Sequence, residues 1–235
     1  MPRSNTPSPT PGHSNHLPTI HTFTLGPFAT NCYVVETPGS EGVRRCFLVD
    51  ASFEPDEMID FVRDSGLQPE ALILTHAHVD HMAGVDQFRQ AFPGLPVYMH
   101  ASETDWLTNP ALNLSMLSGE LITAAPLSPH RDKTIGQGDV LTLCGLDWTV
   151  LHIPGHSPGS IALYNAASAI TLSGDALFAG SIGRTDFPGS SPRQLAASIR
   201  EKLYTLPEAT TVYPGHGPTT TIGREKRSNP FVRAE

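Results

Sequence analysis

No window of this 235-residue chain approaches the roughly 18 consecutive apolar residues of a membrane-spanning helix, so the sequence predicts no membrane partner. Cysteine is scarce. Cys32, Cys46 and Cys144 are odd in number and widely spaced, without a C-x-x-C pair, so neither a disulfide framework nor a thiolate zinc site is expected. They read as small buried apolar side chains. Basic charge is also short: 15 Lys and Arg stand against 23 Asp and Glu, a formal net charge of −8. Displacing counterions from a phosphate backbone needs the opposite balance, so nucleic acid is excluded as a partner. Residues 1–18 lack the apolar core of a signal peptide and consist mostly of Pro, Ser, Thr and Asn. They read as a disordered leader to a cytoplasmic protein.

What remains, residues 19–235, suits one domain with a large core. Gly 20 and Pro 22 imply many turns. Short β-type runs are expected at Thr19–Leu25, Cys32–Glu36, Cys46–Asp50, Ala71–Leu74 and Val97–His100, and again at Val140–Leu143, Asp147–Ile153, Ser160–Asn165, Ala169–Ser173 and Thr211–Tyr213. Helical spacing marks Pro55–Asp64, ending at a Gly66 cap, then Met82–Phe92, and Pro192–Leu206 with Leu195, Ile199, Leu203 and Leu206 on one face. Ser102–Leu107 reads as a short helix with Asp105 in a cap-like pair, and residues 108–133, without a sustained period, as a long loop, either of the lid or binding type or a surface excursion. Strands mixed with helices in two successive groups predict an α+β fold of two sheets with helices outside them.

The informative string is Thr75-His76-Ala77-His78-Val79-Asp80-His81, placed directly after the buried run Leu72-Ile73-Leu74. In an extended strand residues i and i+2 share a face, so His76 and His78 converge at a strand end while Asp80 and His81 turn to a second point. A helical metal motif would space its ligands at i and i+4 instead. One short cluster cannot complete the shells of two ions. Three glycine-bearing loops after predicted strands offer the missing donors: His156 in Pro154-Gly155-His156, Asp175 in Ser173-Gly174-Asp175, and His216 in Pro214-Gly215-His216-Gly217. Such groups, buried together without a metal, would carry unpaired polarity. The isolated histidines His13, His16, His21, His100, His130 and His152 read as ordinary surface or core residues, His152 with a possible supporting role behind a ligand.

The order His76-x-His78-x-Asp80-His81, His156, Asp175, His216 resembles the metallo-β-lactamase superfamily. The resemblance implies a four-layered αβ/βα sandwich with two metals at one edge of facing sheets. His76, His78 and His156 would hold the first metal, Asp80, His81 and His216 the second, and Asp175 would bridge them. The strings Gly26-Pro27-Phe28-Ala29-Thr30-Asn31-Cys32-Tyr33, Ser173-Gly174-Asp175-Ala176-Leu177-Phe178, Gly180-Ser181-Ile182-Gly183-Arg184-Thr185-Asp186-Phe187 and Tyr213-Pro214-Gly215-His216-Gly217-Pro218 narrow it. Together they resemble glyoxalase II-like hydroxyacylglutathione hydrolases of the short bacterial subgroup, which lacks a helical C-terminal domain. Arg184 matches a basic glutathione-contacting position, while Thr185 and Asp186 stand where longer relatives place aromatic anchors, so much of the glutathione clamp is expected to be missing.

The expected chemistry is hydrolysis of a small-molecule thioester such as S-D-lactoylglutathione. Two divalent transition-metal ions, zinc by first choice with iron or manganese also compatible, would generate a bridging hydroxide, and Asp80 would orient it. Two rivals share the motif. A persulfide dioxygenase on the same scaffold would use a single iron on His76, His156 and Asp175, a two-histidine, one-carboxylate set. A non-enzymatic module would need closed tetrahedral sites, which seven O and N donors without cysteine do not suggest.

Overall fold

The computed structural model describes residues 17–37 and 43–233. The leader expected over 1–18, with His13 and His16, therefore lies outside the described residues except for Leu17 and Pro18. Two six-stranded sheets face each other. The first comprises β1 (Thr19–Leu25), β2 (Thr30–Thr37), β3 (Arg45–Val49), β4 (Gln68–Ile73), β5 (Val97–His100) and β6 (Lys133–Ile135), in that spatial order. Its first three strands pair antiparallel and the rest parallel. The second sheet contains β7 (Val140–Leu143), β8 (Leu146–His152), β9 (Ile161–Asn165), β10 (Ile170–Gly174), β13 (Thr211–Pro214) and β14 (Thr220–Thr221), in spatial order β14-β13-β10-β9-β8-β7. A small hairpin, β11 (Leu177–Phe178) and β12 (Ser181–Ile182), follows β10.

The continuous apolar runs of the central strands are explained by burial on both faces. Along β2, Tyr33 and Val35 point between the sheets, whereas Cys32 and Val34 point to the outer helices. β3 repeats the pattern, with Phe47 and Val49 inward and Cys46 and Leu48 outward. So does the run after Gln68, where Ala71 and Ile73 alternate with Leu72 and Leu74. Helices α1 (Asp56–Asp64), α2 (Val79–Met82) and α3 (Val85–Ala91) cover the outer face of the first sheet through Met58, Val62, Met82, Val85 and Phe88. α4 (Ser115–Ser118) is a single turn in the segment before β6. On the far side, α5 (Pro192–Ser198), its π-helical continuation Ile199–Leu203, and α6 (Ile222–Ser228) press Leu195, Ile199, Leu203 and Ile222 against Ala162 and Val212. The result is the expected four-layered α+β sandwich. Among the described residues no helix is long and apolar enough to cross a membrane.

Several local expectations are corrected. The helix expected over Met82–Phe92 is two helices, and α2 begins early enough to include Asp80 and His81. The break has a backbone cause: Ala51, just past β3, accepts from Gly84 N at 2.8 Å and donates to His81 O at 2.8 Å. The segment Ala101–Thr108 is a 3₁₀ helix capped by the His100 ring, which accepts from Ser102 N at 3.2 Å, so Asp105 is not its cap. Residues 108–133 form the expected long loop apart from the single turn of α4, and the loop is tied down rather than a surface excursion. Asn113 is wholly buried and donates to the carbonyls of Trp106 and Ile122, each at 3.0 Å, which closes the segment into a compact loop around α4. The sequence pattern also missed β6, β11, β12, β14 and α6, all short. Gly66 takes φ +65° just past α1 as anticipated, and the three cysteines are buried and free.

Trp148 fills the space between the sheets, wholly buried and edge-on to Phe47 with ring centroids 5.1 Å apart. Its indole Nε1 has no hydrogen-bond partner among the described residues, so its contribution is packing alone. Trp148→Ala should therefore cost about 3–5 kcal/mol of stability. Trp148→Phe, which loses no hydrogen bond and leaves a smaller cavity, should cost clearly less than Trp148→Ala. Urea denaturation of both variants checks this; equal losses would show that the indole N–H is satisfied after all.

Candidate metal centre

All seven expected donors meet at one edge of the sandwich. His76 and His78 lie in the loop between β4 and α2, with His78 at the N-cap of α2, not on the strand end expected for them; the first turn of α2 supplies Asp80 and His81, and the loops after β8, β10 and β13 supply His156, Asp175 and His216. Three triples each have donor atoms within 4.8 Å of one another: His76, His78 and His156; His76, His81 and Asp175; and Asp80, His81 and His216. The first and third are the two groups expected from the sequence, and Asp175 lies between them. Its Oδ1 is 3.4 Å from His81 Nε2, and its Oδ2 is 3.6 Å from His156 Nε2 and 3.4 Å from His216 Nε2.

The outer ring nitrogens of three histidines are fixed by acceptors, and this decides what their inner nitrogens present. His156 Nδ1 lies 2.8 Å from the Arg184 carbonyl, which can only accept, so Nδ1 carries the proton. His81 Nδ1 likewise donates to Asp50 Oδ2 at 2.8 Å. Thr75 spends its hydroxyl proton on Asp50 Oδ2 at 2.8 Å, leaving its lone pairs for His76 Nδ1 at 3.1 Å. Each ring, when neutral, then turns a bare Nε2 lone pair inward, as a metal ligand must. His76 Nε2 and His156 Nε2 are 3.2 Å apart, and His78 Nδ1 is 2.9 Å from His156 Nε2. Two nitrogens bound tetrahedrally at about 2.0–2.1 Å lie roughly 3.3 Å apart, so the spacing suits a shared cation. His81 Nε2 and Asp175 Oδ1 are buried without a hydrogen-bond partner among the described residues, a second sign of fit.

The electrostatics make the same demand for positive charge. Burial holds the rings of His76 and His156 below the usual imidazole range and His78 down at about 3. For Asp80, burial works upward but His81 and His216 outweigh it and bring the carboxyl to about 2; Asp175 is driven down in the same way. Burial also opposes charge on His81 and His216, but neighbouring carboxylates win: Asp80, Asp50 and Asp175 raise His81, and Asp175 with Asp80 raises His216 to about 10.

Residues that are not themselves expected donors hold this cluster in place. Asp50, past the end of β3 with φ +61°, accepts from Thr75 N at 2.7 Å as well as from His81 and Thr75 Oγ1. Aspartate tolerates that left-handed conformation better than most residues. Thr30 Oγ1 donates to Asp80 Oδ2 at 2.9 Å. The first sheet reaches across to the His216 loop through Asn31 N to Gly215 O at 2.7 Å, Asn31 Nδ2 to Gly217 O at 2.8 Å and Tyr33 OH to Pro214 O at 2.6 Å. Gly215 is required by space: a Cβ there would fall on Asp175 Oδ1 and press on His81 Cε1. Arg184, expected to contact substrate, lines the adjoining cavity, but its side chain is already paired with Asp186 at 2.8 and 2.9 Å. His152 donates through Nε2 to the Pro158 carbonyl at 2.9 Å and stacks on His100 at 4.0 Å, and it belongs to none of the three donor triples.

Comparison with known proteins agrees with this geometry. A family profile described as the metallo-beta-lactamase superfamily matches residues 25–216. The chain is 39% identical over 209 residues to a probable metallo-hydrolase, YqgX, of Bacillus subtilis, covering 88% of this chain and 94% of that one. It is 34% identical over 209 residues to the hydroxyacylglutathione hydrolase GloC of Haemophilus influenzae, covering 88% and 95%. Among solved structures, the BLEG-1 B3 metallo-beta-lactamase superposes with a TM-score of 0.83 at 41% identity, covering 91% of this chain and 99% of that one. TTHA1623 in a di-iron-bound form superposes with 0.76 at 42% identity, covering 90% and 100%.

Glu103 is the least expected of the supporting residues. Wholly buried, its carboxylate accepts from Ala77 N at 2.7 Å and from Gly159 N at 2.6 Å, tying the loop of His76 and His78 to the loop of His156. Burial pushes the carboxyl up, and the contacts from Ser157, Gly159 and Ala77 pull it back in part. A glutamine has only one acceptor oxygen and would set an NH₂ against one of the two amides. Glu103→Gln should therefore weaken metal retention about 10- to 100-fold, read by competition with a chelator. Retention equal to the unmodified chain would show that Glu103 does not set the spacing of the two loops.

Proposed function

The chain belongs to the metallo-β-lactamase superfamily as a metal-dependent hydrolase, and from that premise we propose that it cleaves small-molecule thioesters with two divalent transition-metal ions. The observation that supports this is the placing of the donors: His78, Asp80, His156, Asp175 and His216 all line a cavity of about 510 Å³. A carbonyl can therefore reach them, whereas structural sites are closed. When bound, the ions would acidify a water molecule and polarise the carbonyl. Zinc suits the set of imidazoles and carboxylates, and the di-iron form of TTHA1623 supports iron as the other candidate.

The residues divide the remaining work. Asp80, fixed through Oδ2 by Thr30, accepts a hydrogen bond from the attacking water and orients it toward the carbonyl carbon. His156 is held by the Arg184 backbone carbonyl, so its orientation survives changes to the Arg184 side chain. A thiolate leaves without full protonation, and no general acid is needed. The buried free thiols suit a cytoplasmic setting. The likeness to GloC supports a glutathione thioester, and the likeness to BLEG-1 favours a second activated carbonyl, a β-lactam.

S-D-lactoylglutathione should be hydrolysed without oxygen uptake. Arg184 offers its guanidinium to a substrate carboxylate only in competition with Asp186, so KM should be weak. Arg184→Ala should raise KM several-fold more than it lowers kcat, as expected when one contact serves ground and transition states alike. Steady-state kinetics with this thioester, beside a chromogenic cephalosporin and an oxygen electrode with glutathione persulfide, check the assignment. Oxygen consumption without thioester cleavage would replace the hydrolase by a dioxygenase, and turnover of the cephalosporin alone would replace thioester by lactam.

A further inference from the structure

We propose that this site takes thioesters bearing an apolar substituent, a chain of about four to six carbons, in preference to strongly polar, charged ones such as glutathione conjugates. The inference rests on the hydrolase reading and names its substrate class. The cavity beside the metal centre has an apolar wall made by Phe28, Leu114, Leu117, Phe178 and Phe187. Phe187 lies 5.5 Å from the His78 ring and Phe178 lies 6.0 Å from the His216 ring, so the wall flanks both donor groups. Leu117 is 73% exposed and Phe28 47% exposed. Large apolar side chains left facing solvent around a catalytic cavity mark a surface that a ligand covers.

Charge argues the same way. Among the described residues Arg184 is the only Lys or Arg lining the cavity; besides its pair with Asp186, it lies over the Phe187 ring at 4.4 Å. A glutathione conjugate brings two carboxylates, and among the described residues no second Lys or Arg lines the cavity to pair with them. The apolar wall is also built rather than incidental. Leu114 takes φ +69°, a strained conformation for a bulky residue, and the surrounding structure enforces it. Its neighbour Asn113 accepts from Ser115 N at 2.9 Å through its side chain and from Val79 N at 2.8 Å through its carbonyl. Val79 opens α2, the helix of Asp80 and His81. Leu114 is thus fixed to the same frame as two of the donors.

The test uses the zinc-loaded enzyme. One arm lengthens the acyl group, with acetyl, butanoyl and hexanoyl thioesters of N-acetylcysteamine. A second arm lengthens the thiol, with thioacetates of ethanethiol, butanethiol and hexanethiol. A third measures binding of acetate, butanoate and hexanoate by calorimetry. In at least one kinetic arm kcat/KM should rise about two- to four-fold per methylene, and carboxylate affinity should rise alongside it. The longest substrate should exceed S-D-lactoylglutathione in kcat/KM. Leu117→Asp should flatten the rise, while Val140→Asp, which alters an exposed apolar residue of β7 away from the cavity, should not. Thioester cleavage with no chain-length dependence in either kinetic arm would overturn the apolar preference and leave the hydrolase standing. Tighter carboxylate binding with no thioester turnover would keep the apolar wall and overturn the hydrolase reading. Self-association abolished by Leu117→Asp, with flat kinetics, would make Leu117 a subunit contact and overturn the proposal.

Discussion

Bare imidazole nitrogens and buried carboxylates crowded at 2.9–3.6 Å repel one another unless a cation lies among them, and this constraint organises the rest of the structure. Each ring is committed by an acceptor behind it: a carboxylate for His81, a hydroxyl already bound to that carboxylate for His76, a backbone carbonyl for His156. Those acceptors point the donors inward and hold them there. Without Asp50, His81 would lose the acceptor that sets its tautomer and Thr75 would no longer be held as an acceptor for His76, while His156 would keep its own.

The fold supplies this arrangement by meeting at an edge. Loops after β3 and β4 of one sheet face loops after β8, β10 and β13 of the other, and the apolar layer between the sheets fixes their separation. Direct ties then lock the edge. Tyr33 and Asn31 reach from the first sheet to the His216 loop, and Glu103 joins the loops of His76 and His156. Stability and function are therefore connected through a few polar bridges rather than through the core alone.

Much of this was legible in the sequence. The seven donors stood out because a strand-end motif with its i, i+2 spacing needs partners, and Gly-flanked His156, Asp175 and His216 follow strands whose apolar patterns are plain. The strands buried on both faces were visible as unbroken apolar runs, such as Leu72-Ile73-Leu74. What escaped has a common cause. Glu103 bonds to amides 26 and 56 residues away, and Asn113 organises a loop through carbonyls of low-periodicity residues, so no local pattern announces either. Asp50 carried a weak signal, a charged residue closing the apolar run Cys46-Phe47-Leu48-Val49, which propensity alone does not separate from an ordinary strand end. The break between α2 and α3 was hidden because it is imposed by Ala51, a tertiary partner.

Whether this cluster holds two cations is measured most directly by elemental analysis of the zinc-loaded chain. The unmodified protein should hold two ions, and Asp80→Ala should fall toward one because it removes a donor from the group of His81 and His216. A fully loaded chain that never exceeds one ion, with Asp80→Ala holding as much, would contradict the binuclear centre.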